Sequence, residues 1–381
     1  MSIFLIIFLS IYGSMNAYFF WRFQHAYHLQ GLRLIGLVVF LLVMVTGPIL
    51  VRLLERAGLH LPATGLAYIV YIWMAVALWF LAFGLVLNAW NLVIRTAARA
   101  VPATSQFVVG PAAGFRTLAF VVILLIVWGS IEARNLRVER LSIRTDLLPA
   151  GSQPLRIAQI SDVHLGMIEG RGRVRQISRV LRETDPDVLV STGDLVDGFS
   201  PHLDHLSTVF SDIKPPLGKF AVTGNHEFYA GLDHSLDFHH RSGFEVLRGQ
   251  SRAVGELLTL AGVDDPAGRQ MDPGIKTDES QILPAPKGER FTVLLKHRPW
   301  IGEGMEGRFD LQLSGHTHRG QIFPFHFLVR LEYPFLSGLY QLEKGSAIFT
   351  SRGTGTWGPP LRVLSPPEVT IITIEPAKPV N

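Results

Sequence analysis

The chain has 381 residues, no cysteine, 35 Lys+Arg against 31 Asp+Glu, and a mean hydropathy of +0.29. Residues 1–131 hold seven Arg, one Glu and no Lys or Asp, a net charge of +6; the remaining 250 residues hold 28 basic and 30 acidic residues, a net charge of −2. This division excludes a single soluble domain, a disordered chain and a disulfide-stapled fold, and it removes the basic surplus as a sign of nucleic-acid binding.

Four apolar stretches open the chain: Ser2–Phe20, Leu34–Val51, Gly65–Ile94 and Thr117–Ile131. A helix needs roughly 20 apolar residues to cross a bilayer, so the first three qualify. The fourth reaches that length if it starts near Gly110, with Arg116 at the interface. None has the polar face that a buried helix of a soluble domain carries. Ser2–Phe20 lacks a basic leader and a small-x-small cleavage site, so it reads as a spanning helix. Trp21, Tyr27, Tyr68, Trp73, Trp90 and Trp128 suggest an interfacial belt, and no internal ionisable residue suggests an ion path. The expectation is a multi-pass anchor of about four helices in a lipid bilayer. Six Arg on one side against five on the other leave its orientation open.

Glu132–Pro154 reads as a linker, and residues 155–381 as one domain. Leu155–Ser161, Asp187–Thr192 and Gly218–Thr223 read as buried strands, with helices Arg173–Glu183 and Leu203–Ile213 between them. That order predicts a layered α/β domain. Further strands follow at Leu257–Val263, Phe291–Lys296, Asp310–Ser314, Ala347–Thr350 and Val369–Ile374, with a surface loop at Asp265–Gly288.

Polar motifs lie where these strands end: Asp162-Val163-His164, Gly193-Asp194-Leu195-Val196-Asp197, Gly224-Asn225-His226-Glu227, Lys296-His297-Arg298 and Gly315-His316-Thr317-His318. Carboxyl ends of strands are where open α/β sheets gather ligands. Each motif alone has an ordinary reading as a turn, a helix cap or a hydrogen-bonded histidine. Together they supply oxygen and imidazole donors for divalent cations such as Mn²⁺, Fe²⁺ or Zn²⁺. Residues at i and i+2 of an extended segment point the same way, which predicts that Asp162 pairs with His164 and His316 with His318. A carboxylate such as Asp194 can bridge two cations, and two cations can clamp the oxygens of a phosphoester displacement.

Residues 155–375 resemble the calcineurin-like metallophosphoesterases, whose pattern is D-x-H, GD-x-x-D, GNH-[DE], a lone H and GH-x-H. The resemblance implies a two-sheet sandwich holding two divalent metal ions, manganese first and iron or zinc as alternatives. It implies Asp162, His164, Asp194 and His318 on one metal, and Asp194, Asn225, His297 and His316 on the other. It implies His226 as the acid at the leaving oxygen, assisted by Asp162 or a nearby acid, with Asp194 also in the catalytic set. Ser351-Arg352-Gly353-Thr354-Gly355 and Pro366-Pro367-Glu368-Val369 resemble the membrane-associated YkuE/YaeI-like bacterial branch, part of which is credited with activity on UDP-2,3-diacylglucosamine.

The implied protein is a phosphoesterase in the bacterial inner membrane, cleaving a phosphodiester or pyrophosphate bond of a lipid-linked substrate. The alternatives are a broad phosphodiesterase on nucleotides or envelope polymers, and a metal-binding sensor without turnover. Gly198-Phe199 stands where serine/threonine phosphatases have Arg, against a protein-phosphatase role. Arg319, Arg298 and Arg352 are candidate substrate-binding residues, each with a solvated-loop alternative. His234, His239 and His240 read as a solvated helix face, Asp197 as a supporting or turn residue, and Glu227 as orienting His226 or supporting the site. Phe323–Val329 reads as core, or else as an exposed loop that dips into the membrane interface and admits an acyl chain.

Overall fold

A computed structural model describes residues 3–198, 203–272, 274–285 and 287–377. Phe199 therefore lies outside the described residues, as do positions 273 and 286 of the expected surface loop. The chain divides into two compact units, residues 1–130 with 358–361, and residues 131–357 with 362–381.

The apolar stretches of the first unit form helices α1 (Ile3–Tyr27), α2 (Gly31–Arg56), α3 (His60–Ala97) and α4 (Pro111–Arg134). Among the described residues, α2, α3 and α4 are long and apolar enough to cross a membrane. The last apolar run gains its length as expected, by starting at Pro111 rather than Thr117. Trp21, Tyr27, Tyr68, Trp90 and Trp128 are exposed, in keeping with an interfacial belt. Trp73 departs from it, because its indole N–H donates to Asn16 at 2.8 Å. Arg22 is also buried rather than interfacial: its guanidinium donates to Asn88 at 2.8 Å and to the Tyr18 hydroxyl at 3.1 Å. The bundle thus holds an internal ionisable group where none was expected.

The second unit is built on two six-stranded sheets. The first runs β1 (Arg137–Thr145), β12 (Glu368–Pro376), β2 (Leu155–Ile160), β3 (Val188–Ser191), β4 (Lys219–Ala221), β5 (Glu245–Val246). The second runs β10 (Gly338–Gln341), β11 (Ala347–Thr350), β9 (Leu311–Ser314), β8 (Phe291–Leu295), β7 (Leu258–Gly262), β6 (Gln250–Val254). Strands β2 to β5 are parallel in sequence order. Helices α5 (Arg171–Thr184), α6 (Asp204–Ser211), α7 (Asn225–Tyr229) and α8 (Leu232–Arg241) lie between them in the chain.

Alternation along the strands explains the layers, since successive side chains point to opposite faces. Ile157, Val188, Val190, Leu260, Val293 and Leu295 share one buried core. Their neighbours Ala158, Ile160 and Leu189 instead join a second core with Val174, Ile177, Leu181, Phe210 and Phe238 of the helices. On the second sheet, Ala261 and Leu294 face a smaller cluster closed by Leu283, Met305 and Phe309, which come from loops. The later strands lacked crossover helices in the sequence because loops cover that face.

One difference concerns the segment read as a linker. Nine of its residues form β1, which pairs in parallel with β12 from Arg137–Glu368 to Thr145–Pro376. Only every second residue of β1 is even partly buried, so its sequence carries too weak an apolar alternation to announce a strand.

Candidate metal centre

The first sheet delivers three motifs at the ends of β2, β3 and β4, and the second delivers two at the ends of β8 and β9. Six of the seven expected ligands fall into two groups, and Asn225 stands next to His226, whose backbone N–H donates to Asp194 Oδ1 at 2.8 Å. Ligand atoms of Asp162, His164 and His318 lie within 4.8 Å of one another, as do those of Asp194, His297 and His316. Asp194 Oδ2 stands between the groups, 3.2 Å from His297 Nε2 and 3.8 Å from His164 Nε2.

The backbone reaches this arrangement by a route the strand reading missed. Asp162, His164, Asp194, His316 and His318 all have positive φ, between 46° and 69°. They are therefore not extended, and i/i+2 alternation is not what aims them. Left-handed backbone is costly for residues with a Cβ and tends to collect at functional sites. Two glycines permit the crowding. A Cβ on Gly224 would collide with Asp194, and one on Gly315 with Ser161 and Asp162. The glycines of the Gly-Asn-His and Gly-His-x-His motifs thus let two chain segments touch at each metal-facing carboxylate.

The residues present fit a pair of divalent cations. Asn225 Oδ1 is buried and meets no donor among the described residues. Imidazole nitrogens face each other at 3.1 Å in two places, His164 with His318 and His316 with His297. Cations held by these atoms would satisfy the orphan carbonyl and take up the imidazole lone pairs that converge there. With carboxylate, amide and imidazole donors and no thiolate, the set suits Mn²⁺, Fe²⁺ or Zn²⁺.

Burial is the largest single influence on each of these groups, and the direction depends on whether neighbouring charges outweigh it. His164 is held down at about 3, first by burial and then by His226. Burial also lowers His316 and His318. Burial works against ionising Asp194, yet His297 and His226 outweigh it and hold the carboxyl well below its usual range. Burial opposes protonation of His226 as well, but Asp197 and then Asp194 overcome it and raise the imidazole to about 9.

Several supporting residues become visible only in the fold. Asp197 Oδ1 lies 2.8 Å from His226 Nδ1, so the side chain read as a turn or supporting residue orients the expected acid. Glu227 does a different task. Its carboxylate accepts the backbone N–H groups of Gly224 (2.7 Å), Asp194 (2.9 Å) and Leu195 (2.7 Å), tying two site loops together. Tyr333 places its hydroxyl 2.9 Å from His316 Nε2. Arg362, fully buried, sets a guanidinium nitrogen 3.1 Å from His318 Nδ1. Tyr333 and Arg362 lie outside the motifs, and nothing local in the sequence marks them.

The three candidate arginines separate. Arg298 makes a two-pronged pair with buried Asp265, at 2.7 and 3.0 Å. Arg352 pairs with Glu139 at 2.8 Å and with Glu368. Arg319 is exposed beside the last ligand. Of the three histidines on α8, His240 is exposed, but His239 is wholly buried, its Nδ1 2.7 Å from the Ser235 carbonyl. The solvated-face reading therefore fails at His239, because one side of a helix packed on a sheet is core whatever its residue type.

A two-sheet sandwich with histidine and aspartate clusters at its strand ends defines a metal-dependent hydrolase domain. Residues 155–320 match the calcineurin-like phosphoesterase family model. A metallophosphoesterase of Aquifex aeolicus is 43% identical over 257 residues, covering 67% of this chain and 98% of that protein. The metallophosphoesterase YkuE of Bacillus subtilis is 30% identical over 260 residues, 64% of this chain and 87% of that one. A transmembrane protein with metallophosphoesterase domain from Danio rerio is 33% identical over 266 residues, but the match spans only 61% of its length. The chain belongs to the calcineurin-like phosphoesterase family, and its second unit is a metal-dependent phosphoesterase domain.

Proposed function

We propose that this chain is a membrane-anchored phosphoesterase that cleaves a phosphodiester or pyrophosphate bond of a lipid-linked substrate, with UDP-2,3-diacylglucosamine as the leading example. The observation that carries the reading is the meeting of six carboxylate and imidazole ligands with an independently oriented His226–Asp197 pair. Asp162, His164, Asp194 and His318 would hold one cation, and Asp194, Asn225, His297 and His316 the other, with manganese the expected metal. When bound, such ions supply positive charge to the phosphoryl oxygens and lower the pKa of water. Asp197 holds His226 with Nε2 free to face the leaving oxygen, and its carboxylate favours the protonated ring that donates there. Arg319 is the arginine available to a substrate phosphate. The apolar helices suit residence in a bacterial inner membrane.

The test uses purified full-length protein with Mn²⁺ in nanodiscs. Hydrolysis of bis-p-nitrophenyl phosphate, lost in Asp194→Asn and slowed in His226→Ala, is the result expected for the enzyme. Faster turnover of UDP-2,3-diacylglucosamine than of the same sugar nucleotide without acyl chains is expected for the lipid-linked substrate. Equal kcat/KM for the two would defeat that part of the reading.

A further inference from the structure

The segment after the last metal ligand is not core. Helix α9 (His326–Glu332) begins eight residues beyond His318. Leu331 is 84% exposed, Phe327 60%, Leu328 57% and Phe325 38%. Phe327, Leu328 and Leu331 stand at i, i+1 and i+4, so they share one helix face. Soluble surfaces scatter such residues singly; a run of four rimmed by charge marks an interaction site.

The segment between His318 and α9 is tied to residues beside the metal centre. Gln321 exchanges two hydrogen bonds with the backbone of Trp357, at 2.7 and 2.9 Å. Phe323 N–H donates to the Val363 carbonyl at 3.2 Å, which places half-exposed Leu364 beside the same segment. Trp357 is 50% exposed, and its ring centroid lies 5.9 Å from that of His226. The segment that leads into α9 is thus tied to the exposed Trp357, whose ring stands beside His226.

Charge selects the occupant. Within residues 319–332, Arg319 and Arg330 are exposed, and Glu332 at the helix end is the one acid. Both guanidiniums lie near enough to His326 to join burial in holding its imidazole below the ordinary pKa, so it adds no charge among the phenylalanines. An apolar face with a cationic rim is the signature of a helix lying in a lipid headgroup layer. The same chain carries three helices long and apolar enough to cross a membrane, so a bilayer is the surface it meets at high effective concentration, and the cationic rim favours an anionic one.

We propose that α9 is an interfacial anchor that embeds Phe325, Phe327, Leu328 and Leu331 in an anionic bilayer and opens the metal centre toward phosphoesters of that layer. Embedding stands on the exposed face and its charge alone; delivery of substrate rests on the lipid-linked reading above.

The absence of native cysteine makes a clean test possible. Phe327→Cys and Leu331→Cys, each carrying an environment-sensitive fluorophore, are compared with Glu183→Cys, an exposed position at the end of α5 that leads into the start of β3. The full chain is placed in nanodiscs of equal phosphatidylcholine and phosphatidylglycerol. Blue-shifted emission at 327 and 331, quenched by nitroxide-labelled lipid and absent at 183, is expected. Emission at 327 and 331 as solvated as at 183 overturns the proposal. A blue shift without lipid quenching, lost when each disc holds one chain, shows that a second copy covers the face and overturns it too. Because quenching needs no turnover, its failure is separable from failure of the enzymatic reading. For delivery, Leu331→Glu is expected to lower kcat/KM on a bilayer-embedded phosphoester at least tenfold while sparing bis-p-nitrophenyl phosphate; equal effects on both overturn delivery.

Discussion

His226 Nδ1 and Asp197 Oδ1 lie 2.8 Å apart, which ties one ring nitrogen of the proposed acid to a carboxylate. The carboxylate both fixes the ring and favours its charged form. In Asp197→Asn that support is lost, so the imidazole pKa falls and the protonated ring disappears at lower pH. The expected result is a fall in kcat of about 10–100-fold, with the alkaline limb of the pH–rate profile moved to lower pH. His226→Ala is expected to cost about 10²–10⁴-fold, and more on an alkyl phosphoester than on a nitrophenyl ester, whose leaving group needs little protonation. Steady-state kinetics on the two esters across pH checks both statements; an unmoved alkaline limb in Asp197→Asn would count against the pairing as a functional one.

Metal removal links the site to stability. Opposed imidazoles and an orphan amide oxygen are expected to make the cation-free protein less stable than the loaded one. Chelation should abolish hydrolysis and lower Tm, and Mn²⁺ should restore both in a concentration-dependent manner. Asp194→Asn should bind fewer equivalents of metal by elemental analysis and show a smaller Tm response.

Gly224→Ala tests the close approach of two loops. The added methyl meets Asp194, so the loop carrying Asn225 and His226 has to shift. A destabilisation of roughly 1–3 kcal/mol is expected from such overpacking, with a loss of activity larger than the stability change explains. Denaturant titration and kinetics at a temperature well below Tm separate the two effects.

Arg298 should behave as a structural partner. Asp265 is 1% exposed, and removing its cation strands a buried carboxylate, which costs about 3–5 kcal/mol. Arg298→Ala is therefore expected to be much less stable than the double variant Arg298→Ala/Asp265→Asn. If the double variant recovers no stability in urea unfolding, the ion pair is not what Arg298 supplies.

His239 gives a pH dependence remote from the metal ligands. Burial holds its pKa at about 4 against an ordinary 6.5. The folded state thus keeps the ring neutral, while the unfolded chain takes up a proton below 6.5. The contribution is fully present above that value and declines as pH falls toward 4, by about 3 kcal/mol at pH 4. His239→Gln is expected to flatten that part of the stability–pH curve, measured by denaturant midpoints.

The five motifs were legible in the sequence because each is local. A strand end, a glycine and one or two ligands fall within a few consecutive residues, and parallel strands bring their carboxyl ends to one edge. The spanning helices were legible for a similar reason, since hydropathy over about 20 residues reports environment without tertiary information. Strand β1 was not, because half its residues face solvent and it pairs with β12 across more than 200 positions.

Sequence alone thus determined which residues are offered as metal ligands and which half carries helices apolar enough to cross a membrane. The tertiary structure decided how each polar residue is used. Three arginines look alike as residues, yet Arg298 is committed to Asp265, 33 residues away, Arg352 to Glu139, 213 residues away, and Arg319 stays exposed. His226 was marked by its motif, but its partner Asp197 was settled by a contact 29 residues distant. The physical reason is range. Ligand identity and hydropathy are properties of a residue or a short run, whereas burial and ion pairing depend on which distant segment folds against it.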